Sequence, residues 1–116
     1  MVNMWLNTVK ELTKVEVLIF KEDETLIRNI SVSGVKDILG SEKYTQRVIM
    51  PKRGYRIVVW FNEKAQGKER VIKLYDGEQI TVKGTFIVVH EEYGAYKNIS
   101  LDDMGVVMLV VEDKRG

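Results

Sequence analysis

Apolar and polar residues alternate along several short segments of the chain, and this pattern is typical of β-strands. Residues 15–20 and 25–30 are rich in β-branched and other large apolar side chains. Four charged residues separate them, which predicts a β-hairpin. The pattern then changes to helical spacing. A short helix is predicted over residues 34–39, with Ser33 as its N-cap and Gly40 at its end.

A second hairpin is predicted from the β-rich segments 44–50 and 55–61, which are joined by the four-residue loop 51–54. In the register that pairs Met50 with Tyr55, one face of this hairpin is mostly apolar and packs on the core. The other face is half polar and gathers Thr45, Arg47, Ile49, Arg56, Val58 and Trp60. Two arginines beside an indole make this face a candidate binding surface.

The segment after the second hairpin contains a short strand and the longest β-rich run of the chain. Residues 70–74 alternate in polarity and end at a turn over residues 75–78, which contains an Asp-Gly pair. Residues 79–90 are predicted to form one central strand covered on both faces, because both parities of the second half of this run are largely apolar. Gly84 inside the run predicts a bulge or a close backbone approach.

Helical signals return near the C-terminus. After a loop over residues 91–98, Ser100 is predicted to cap a helix whose first turn carries Asp102 and Asp103 at the positive end of the helix dipole. The continuation over residues 104–111 has a helical apolar stripe but also a glycine and four valines, which lower helix propensity. Both a continued helix and a final strand remain open for this segment.

A further short helix is predicted over residues 1–13, because apolar residues recur there at helical spacing. These residues are Val2, Trp5, Val9 and Leu12. Together the elements predict an α+β fold, a single domain over residues 1–116 with a mainly antiparallel sheet of five or six strands and two or three short helices. Residues 1–13 form a helical extension in this interpretation, and residues 14–116 form the α+β core.

The composition is that of one globular domain. The chain has 116 residues, of which 45% are hydrophobic and 30% charged, with a single proline and no cysteine. The longest apolar runs fall far below the roughly 20 residues needed to cross a bilayer, so no membrane segment is expected. The lack of cysteine excludes disulfides and thiol chemistry. The charge order at the N-terminus is wrong for a secretory signal, and a cytoplasmic location is expected.

Positive charge is concentrated in the middle of the chain. Residues 43–73 contain nine Lys or Arg against two Glu, a net charge of +7 in a chain whose total is +1. Such a field can steer acidic partners toward one region. The candidate binding residues are Arg47, Lys52, Arg53, Arg56, Trp60 and Arg70. The alternative is that Trp60 lies in the core and the charges form a solvated face, since basic residues also suppress edge-to-edge strand pairing.

Side chains suited to catalysis or metal binding are few. His90 is the only histidine, and with no cysteine it leaves too few ligands for a typical transition-metal site, so no metal and no cofactor are expected. The serines lack a nucleophile motif, and the glycines lack a phosphate-binding pattern. An enzyme would have to rely on carboxylates alone, such as Asp102 and Asp103, which the helix dipole explains better. The protein is therefore expected not to be an enzyme.

Two segments carry a resemblance to a known family. Residues 82–88 contain a Gly-Thr strand, and residues 96–103 contain an aromatic residue, a Ser-Leu pair and an acidic helix start. In this order they resemble the domain of unknown function 3846 family, a small family from bacteria and their phages. The resemblance covers about residues 14–104, and the chain departs from the family pattern at residues 68–71. It implies a small cytoplasmic protein of a mobile element, with no known reaction.

These observations favour a small interaction protein, encoded by a phage or mobile element, that binds and modulates a host or defence component through its basic hairpin. An acidic protein is the favoured partner. The alternative is a nucleic-acid-binding or nucleotide-binding module that uses the same surface. Arg47, Arg56 and Trp60 favour this alternative, because phosphates bind clustered cations and bases stack on aromatic rings, whereas the acidic remainder of the chain opposes it.

Overall fold

The computed structural model describes residues 14–114 of the chain. The helix predicted over residues 1–13 lies outside the described residues. The helical elements of the described part are a 3-10 turn (Val32–Gly34), α1 (Val35–Leu39) and α2 (Leu101–Val110). The strands are β1 (Lys14–Phe20), β2 (Thr25–Ser31), β3 (Thr45–Lys52), β4 (Tyr55–Phe61), β5 (Glu69–Lys73), β6 (Gln79–Lys83), β7 (Phe86–Glu92), β8 (Ala95–Lys97) and β9 (Val111–Asp113).

The strands form two antiparallel sheets. The larger sheet has six strands in the order β2-β1-β7-β4-β3, and β8 pairs with the end of β7. The smaller sheet has three strands in the order β6-β5-β9. The predicted α+β class and the six-stranded, mainly antiparallel sheet are confirmed.

Core side chains lie on both faces of the larger sheet. On one face, Phe86 and Val88 of β7 belong to an apolar cluster that also contains side chains of β5, β6 and α2. On the other face, Ile87 and Val89 pack in a cluster with side chains of α1. These four side chains of β7 are fully buried. The prediction that this strand is central and covered on both faces is confirmed.

The run of residues 79–90 is not one strand as predicted, because it breaks after Lys83 into two strands that belong to different sheets. Gly84 stands at the break with φ +73°. Its N–H donates to the carbonyl of Lys68 at 3.0 Å. A Cβ at this position would lie 2.8 Å from the carbonyl oxygen of Gln66. The predicted close backbone approach is therefore present, and it lets the chain leave one sheet and enter the other.

We expect Gly84→Ala to lower the free energy of unfolding more than Gly77→Ala does. Both glycines have positive φ, +73° and +87°, so alanine is strained at either position by about 1 kcal/mol. A Cβ at Gly77 would meet nothing within 4 Å, whereas one at Gly84 would meet the Gln66 carbonyl. The difference between the two variants in urea unfolding isolates the contact with the Gln66 carbonyl. We expect this contact to lower the free energy of unfolding of Gly84→Ala by about a further 1 kcal/mol. Equal losses would show that the contact relaxes freely.

The short helix α1 ends as predicted but begins differently. Gly34 is its N-cap, and no side chain forms a cap hydrogen bond. The prediction that Ser33 is the cap is wrong, because the Ser33 hydroxyl lies 3.0 Å from the hydroxyl of Ser31 instead. Gly40 ends the helix in the left-handed conformation, with φ +71°. Glycine adopts this conformation without the penalty of a Cβ, so its predicted role is confirmed.

The helix α2 begins with the predicted cap. The Ser100 hydroxyl accepts a hydrogen bond from the Asp103 N–H at 3.1 Å, and the Asp103 carboxylate accepts one from the Ser100 N–H at 2.9 Å. This reciprocal pair satisfies two N–H groups that a helix start leaves without partners. After α2 the chain continues directly into β9, where Val111 pairs with Ile72 of β5. The two alternatives left open by the sequence therefore occur in succession.

Candidate binding site

The second hairpin forms, but its predicted register is wrong. Lys52 pairs with Tyr55, so the connection is the two-residue turn Arg53-Gly54, and Met50 pairs with Ile57. The register shifts between Val48 and Met50, which is the mark of a β-bulge. Because β3 is an edge strand, Pro51 can extend it although proline has no N–H. Gly54 closes the tight turn with φ +87°.

This register separates the residues that were predicted to share one face. Arg47 pairs with Val59, which belongs to the core cluster on the α2 side of the sheet. Trp60 belongs to the cluster on the α1 side, and Arg56 has the same strand parity as Trp60. The prediction that Arg47, Arg56 and Trp60 lie on one face is therefore wrong. The bulge is the physical reason, because one extra residue in a strand reverses the direction of the side chains beyond it.

Trp60 is a core residue with 2% of its surface exposed. Its ring contacts those of Tyr44, at a centroid distance of 5.4 Å, and Tyr96, at 5.1 Å. Burial, reinforced by the charge of Glu91, raises the pKa of the Tyr96 hydroxyl above its ordinary value. The expectation of a solvent-facing indole is wrong, and the alternative interpretation of Trp60 as part of the core is confirmed.

Arg47, which is half-buried, and Arg56, which is exposed, both have carboxylate partners. Arg47 forms an ion pair with Glu78 at 2.6 Å, and Arg56 forms one with Glu91 at 2.7 Å. Side-chain exposure is 36% and 50% in the first pair, and 47% and 15% in the second. These partners reduce the field that the two arginines present to solvent.

Arg70 is a buried cation rather than a surface residue, with 4% of its surface exposed. Its guanidinium lies 5.7 Å from the ring centroid of Phe20 and 5.5 Å from that of Phe86. It donates hydrogen bonds to the carbonyl oxygens of Lys21 and Glu22, and it lies 3.5 Å from the carboxylate of Asp113. These contacts join the smaller sheet to the turn between β1 and β2. They give Arg70 a structural role in this part of the chain.

Exposed cations without a carboxylate partner in the described part of the basic segment are Lys43, Lys64 and Lys73 and, at the tip of the second hairpin, Lys52 and Arg53. Lys52 and Arg53 are exposed, and neither has a carboxylate within 4.0 Å among residues 14–114. Pairing of Tyr55 with Glu92 sets the Arg53-Gly54 turn beside the turn between β7 and β8. That second turn exposes 87% of the surface of Tyr93. We call Lys52, Arg53 and Tyr93 the hairpin tip.

The backbone of Tyr93 is held in an unfavourable conformation. Tyr93 has φ +50°, the only positive φ of a residue other than glycine in the described part of the chain. Such a conformation is costly for a bulky side chain, and residues of this kind cluster at functional sites. The Tyr93 hydroxyl would lie 2.8 Å from a Cβ at Gly54, so the ring reaches across to the neighbouring turn. The segment 91–98, predicted as a loop, is in fact largely a hairpin built around this residue.

His90 and the predicted helix carboxylates meet at a structural contact. The His90 ring stacks on Tyr55 at a centroid distance of 4.4 Å. Its Nδ1 lies 2.8 Å from the carboxylate of Asp103, which is 1% exposed and also accepts from the Ser100 N–H. No group of three or more potential metal ligands occurs among residues 14–114. The expectation of a protein without metal or enzymatic activity stays a prediction.

Sequence and structure comparisons add no relative to this picture. No family model, no curated protein and no solved structure matches the chain. Neither helix within residues 14–114 combines the length and the apolar character that a membrane crossing requires. The hairpin tip was predicted only in part from the sequence, because Lys52 and Arg53 are among the predicted binding residues whereas Tyr93 lies in a segment that was predicted as a loop. Its one usable signal was the Tyr-Gly pair between two β-rich segments, which suits a two-residue hairpin turn.

Proposed function

We propose that this protein is a non-enzymatic interaction protein that binds an acidic segment of a partner protein at the hairpin tip. The observation that carries the proposal is the combination of two unpaired exposed cations with an exposed tyrosine held at positive φ. The tyrosine ring supplies apolar contact area at low conformational cost, and the cations attract carboxylates. The ion pairs of Arg47 and Arg56 support a tip-centred site rather than one spread over the whole hairpin.

The resemblance to a phage and bacterial family supports a host or defence component as the partner, which the protein would modulate in the cytoplasm. Nucleic acid is the second candidate, because an exposed aromatic ring beside cations also suits stacked bases and phosphates. Two unpaired cations are few for that purpose. They would provide only a small counterion-release term, compared with the six or more phosphate contacts that make nucleic-acid binding strong. The surface therefore favours a protein partner.

Charge reversal at the tip should weaken binding without loss of fold. We expect Lys52→Glu with Arg53→Glu to weaken partner capture by at least about tenfold, or about 1.4 kcal/mol. Stability should change by less than about 1 kcal/mol, because both side chains are exposed. The matched control is Lys43→Glu with Lys64→Glu, which makes the same charge change at exposed sites outside the tip. Affinity purification from host lysate before and after nuclease treatment provides the measurement.

The outcomes of this experiment separate the candidates. Capture that survives nuclease treatment and fails only in the tip variant supports a protein partner. Capture that nuclease abolishes, together with binding of a purified single-stranded oligonucleotide that falls steeply with salt, supports nucleic acid. Equal capture by the folded tip variant and by the control variant would contradict both, because neither class of partner could then depend on the tip charges.

Tyr93→Asn should make the protein more stable and the binding weaker. Asparagine adopts positive φ more readily than tyrosine, so we expect a gain of about 1 kcal/mol in the free energy of unfolding. The same change removes the exposed ring from the site. Urea unfolding measures the first effect, and capture of the purified partner measures the second. A variant that gains stability and keeps full affinity would show that the ring has no role in binding.

A further inference from the structure

The two edges of the larger sheet differ in whether a further strand can pair with them. β3 forms one edge, and it carries a bulge, Pro51 and the exposed charge of Lys52. Features of this kind prevent another strand from pairing with an edge. β2 forms the other edge, and its seven residues pair with β1 in an unbroken register. Within residues 14–114, β1 is the one strand that pairs with β2, so the outer side of β2 can accept a further strand.

Hydrogen bonds of β1 and of the turn after it show which backbone groups of β2 lie at this edge. The Lys21 N–H donates to the Glu24 carbonyl at 2.8 Å, so these two residues face each other across the first hairpin. The Glu16 carbonyl accepts from the Ile99 N–H, so Glu16 and the opposite residue Asn29 face away from each other. Successive residues of a strand direct their backbone groups to opposite sides. The residues that present N–H and C=O groups at the free edge are therefore Thr25, Ile27, Asn29 and Ser31.

The side chains along this edge are one exposed apolar residue and two exposed charged residues. Ile27 is 46% exposed and lies opposite Leu18, on the α2 side of the sheet. Arg28 lies opposite Val17, on the α1 side, and Glu24 has the same strand parity as Arg28. Neither of these charges has an ion-pair partner within 4.0 Å among the described residues. Four residues of a strand span about 13 Å, so Glu24 and Arg28 of one chain are too far apart to pair with each other.

We propose that the β2 edge is the interface of a homodimer, in which the β2 strands of two copies pair antiparallel about a two-fold axis at Ile27. In this register Thr25 pairs with Asn29 of the second copy, and Ile27 pairs with its own equivalent. The outward backbone groups of these residues form about six hydrogen bonds between the copies. The two Ile27 side chains cover each other, which removes exposed apolar surface from water. The edge is thus complementary to itself, as a two-fold interface requires.

Charge complementarity favours a second copy as the occupant and favours this register. Arg28 lies opposite Leu26 of the second copy, and the right-handed twist of the strand pair brings it diagonally toward Glu24 of that copy. The two-fold axis repeats this ion pair. With the axis at Arg28 instead, two guanidinium groups would lie directly opposite each other, which is unfavourable. With the axis at Asn29, the two Ile27 side chains would no longer meet.

Sedimentation equilibrium of the full-length protein tests the dimer. We expect Ile27→Lys to raise the dissociation constant by at least about tenfold, because it replaces an apolar contact at the axis by two like charges. The matched control is Leu109→Lys, which makes the same charge change at an exposed apolar residue of α2. Weakening in Ile27→Lys alone supports the proposal. A parent protein that stays monomeric at its highest soluble concentration, or a dimer weakened equally or only by Leu109→Lys, would overturn it.

Exchange of the two charges tests the register. Glu24→Arg places two arginines on each diagonal of the dimer, and Arg28→Glu places two glutamates there, so each variant alone should dimerise about tenfold more weakly than the parent. An equimolar mixture of the two variants restores an Arg–Glu pair on both diagonals. We therefore expect the mixture to form heterodimers with nearly the parent affinity. A mixture that associates no more tightly than the separate variants would contradict the proposed pairing.

Hydrogen exchange of the parent protein provides a measurement that needs no variant. The amides of Thr25, Ile27 and Asn29 should exchange about tenfold more slowly once about nine-tenths of the protein is dimeric, because exchange then requires dissociation. The amides of Leu26 and Arg28 face β1, so their exchange should not depend on protein concentration. The same concentration dependence in both sets of amides, or none in either, would exclude pairing at the β2 edge.

Discussion

Trp60→Ala is expected to lower the free energy of unfolding by about 3–5 kcal/mol, the range measured when large buried aromatic residues are truncated. The indole is fully buried on the α1 side of the larger sheet, so its removal leaves a cavity lined by Tyr44 and Tyr96. The Trp60 Nε1–H has no hydrogen-bond partner among the described residues. Its deletion therefore leaves no unpaired acceptor behind, and the loss is one of packing alone. Urea unfolding followed by circular dichroism provides the measurement.

The control for this prediction is Tyr93→Ala, which truncates an aromatic residue that is 87% exposed. We expect it to change stability by less than about 0.5 kcal/mol, as exposed substitutions usually do. At a temperature where both variants are folded, Tyr93→Ala should lose partner capture and Trp60→Ala should retain it. A stable Trp60→Ala protein that no longer captures its partner would support the alternative in which nucleic-acid bases stack on Trp60.

The positions of the strands could be predicted from the sequence because β-branched residues and alternating polarity report burial locally. The pairing of β3 with β4 could not. The bulge near Ile49 is set by how the whole edge strand fits β4, and Pro51 suggested a turn where an edge strand tolerates it. A shift of one residue is enough to move Arg47 to the opposite face from Trp60. The face on which Arg47 lies could therefore not be predicted, because Pro51 and the bulge lie in the same edge strand.

Capping was predicted correctly at Ser100 and Gly40 but not at Ser33. Ser100 and Asp103 are three residues apart, so their reciprocal hydrogen bonds depend only on the first turn of α2. A close backbone approach was also predicted correctly at Gly84, but the group it approaches, the Gln66 carbonyl, is remote in the chain and could not be identified from the local sequence. A count of charged residues along the sequence does not show which of the charges are buried or paired. The excess of +7 in residues 43–73 is real, but it includes one buried cation and several paired ones.

Arg70 was predicted as a surface binding residue but is buried, so its substitution should affect stability rather than binding. We expect Arg70→Met to lower the free energy of unfolding by about 3 kcal/mol, because methionine keeps the apolar stem but loses the charged hydrogen bonds to the Lys21 and Glu22 carbonyls. It also loses the interaction of the guanidinium with the rings of Phe20 and Phe86. The Arg70 Nη1 has no partner among the described residues, so its removal offsets part of this loss.

The matched control is Arg47→Met, which breaks an ion pair whose two side chains are 36% and 50% exposed. Exposed pairs contribute no more than about 1 kcal/mol, so the Arg47 variant should be close to the parent in urea unfolding. The difference between the two variants measures what burial adds to one guanidinium. Equal small losses would show that Arg70 is free to reach solvent, and would return it to the surface residues available for binding. A large loss with partner capture unchanged at low temperature would leave Arg70 as the cation that holds the smaller sheet to the β1–β2 turn.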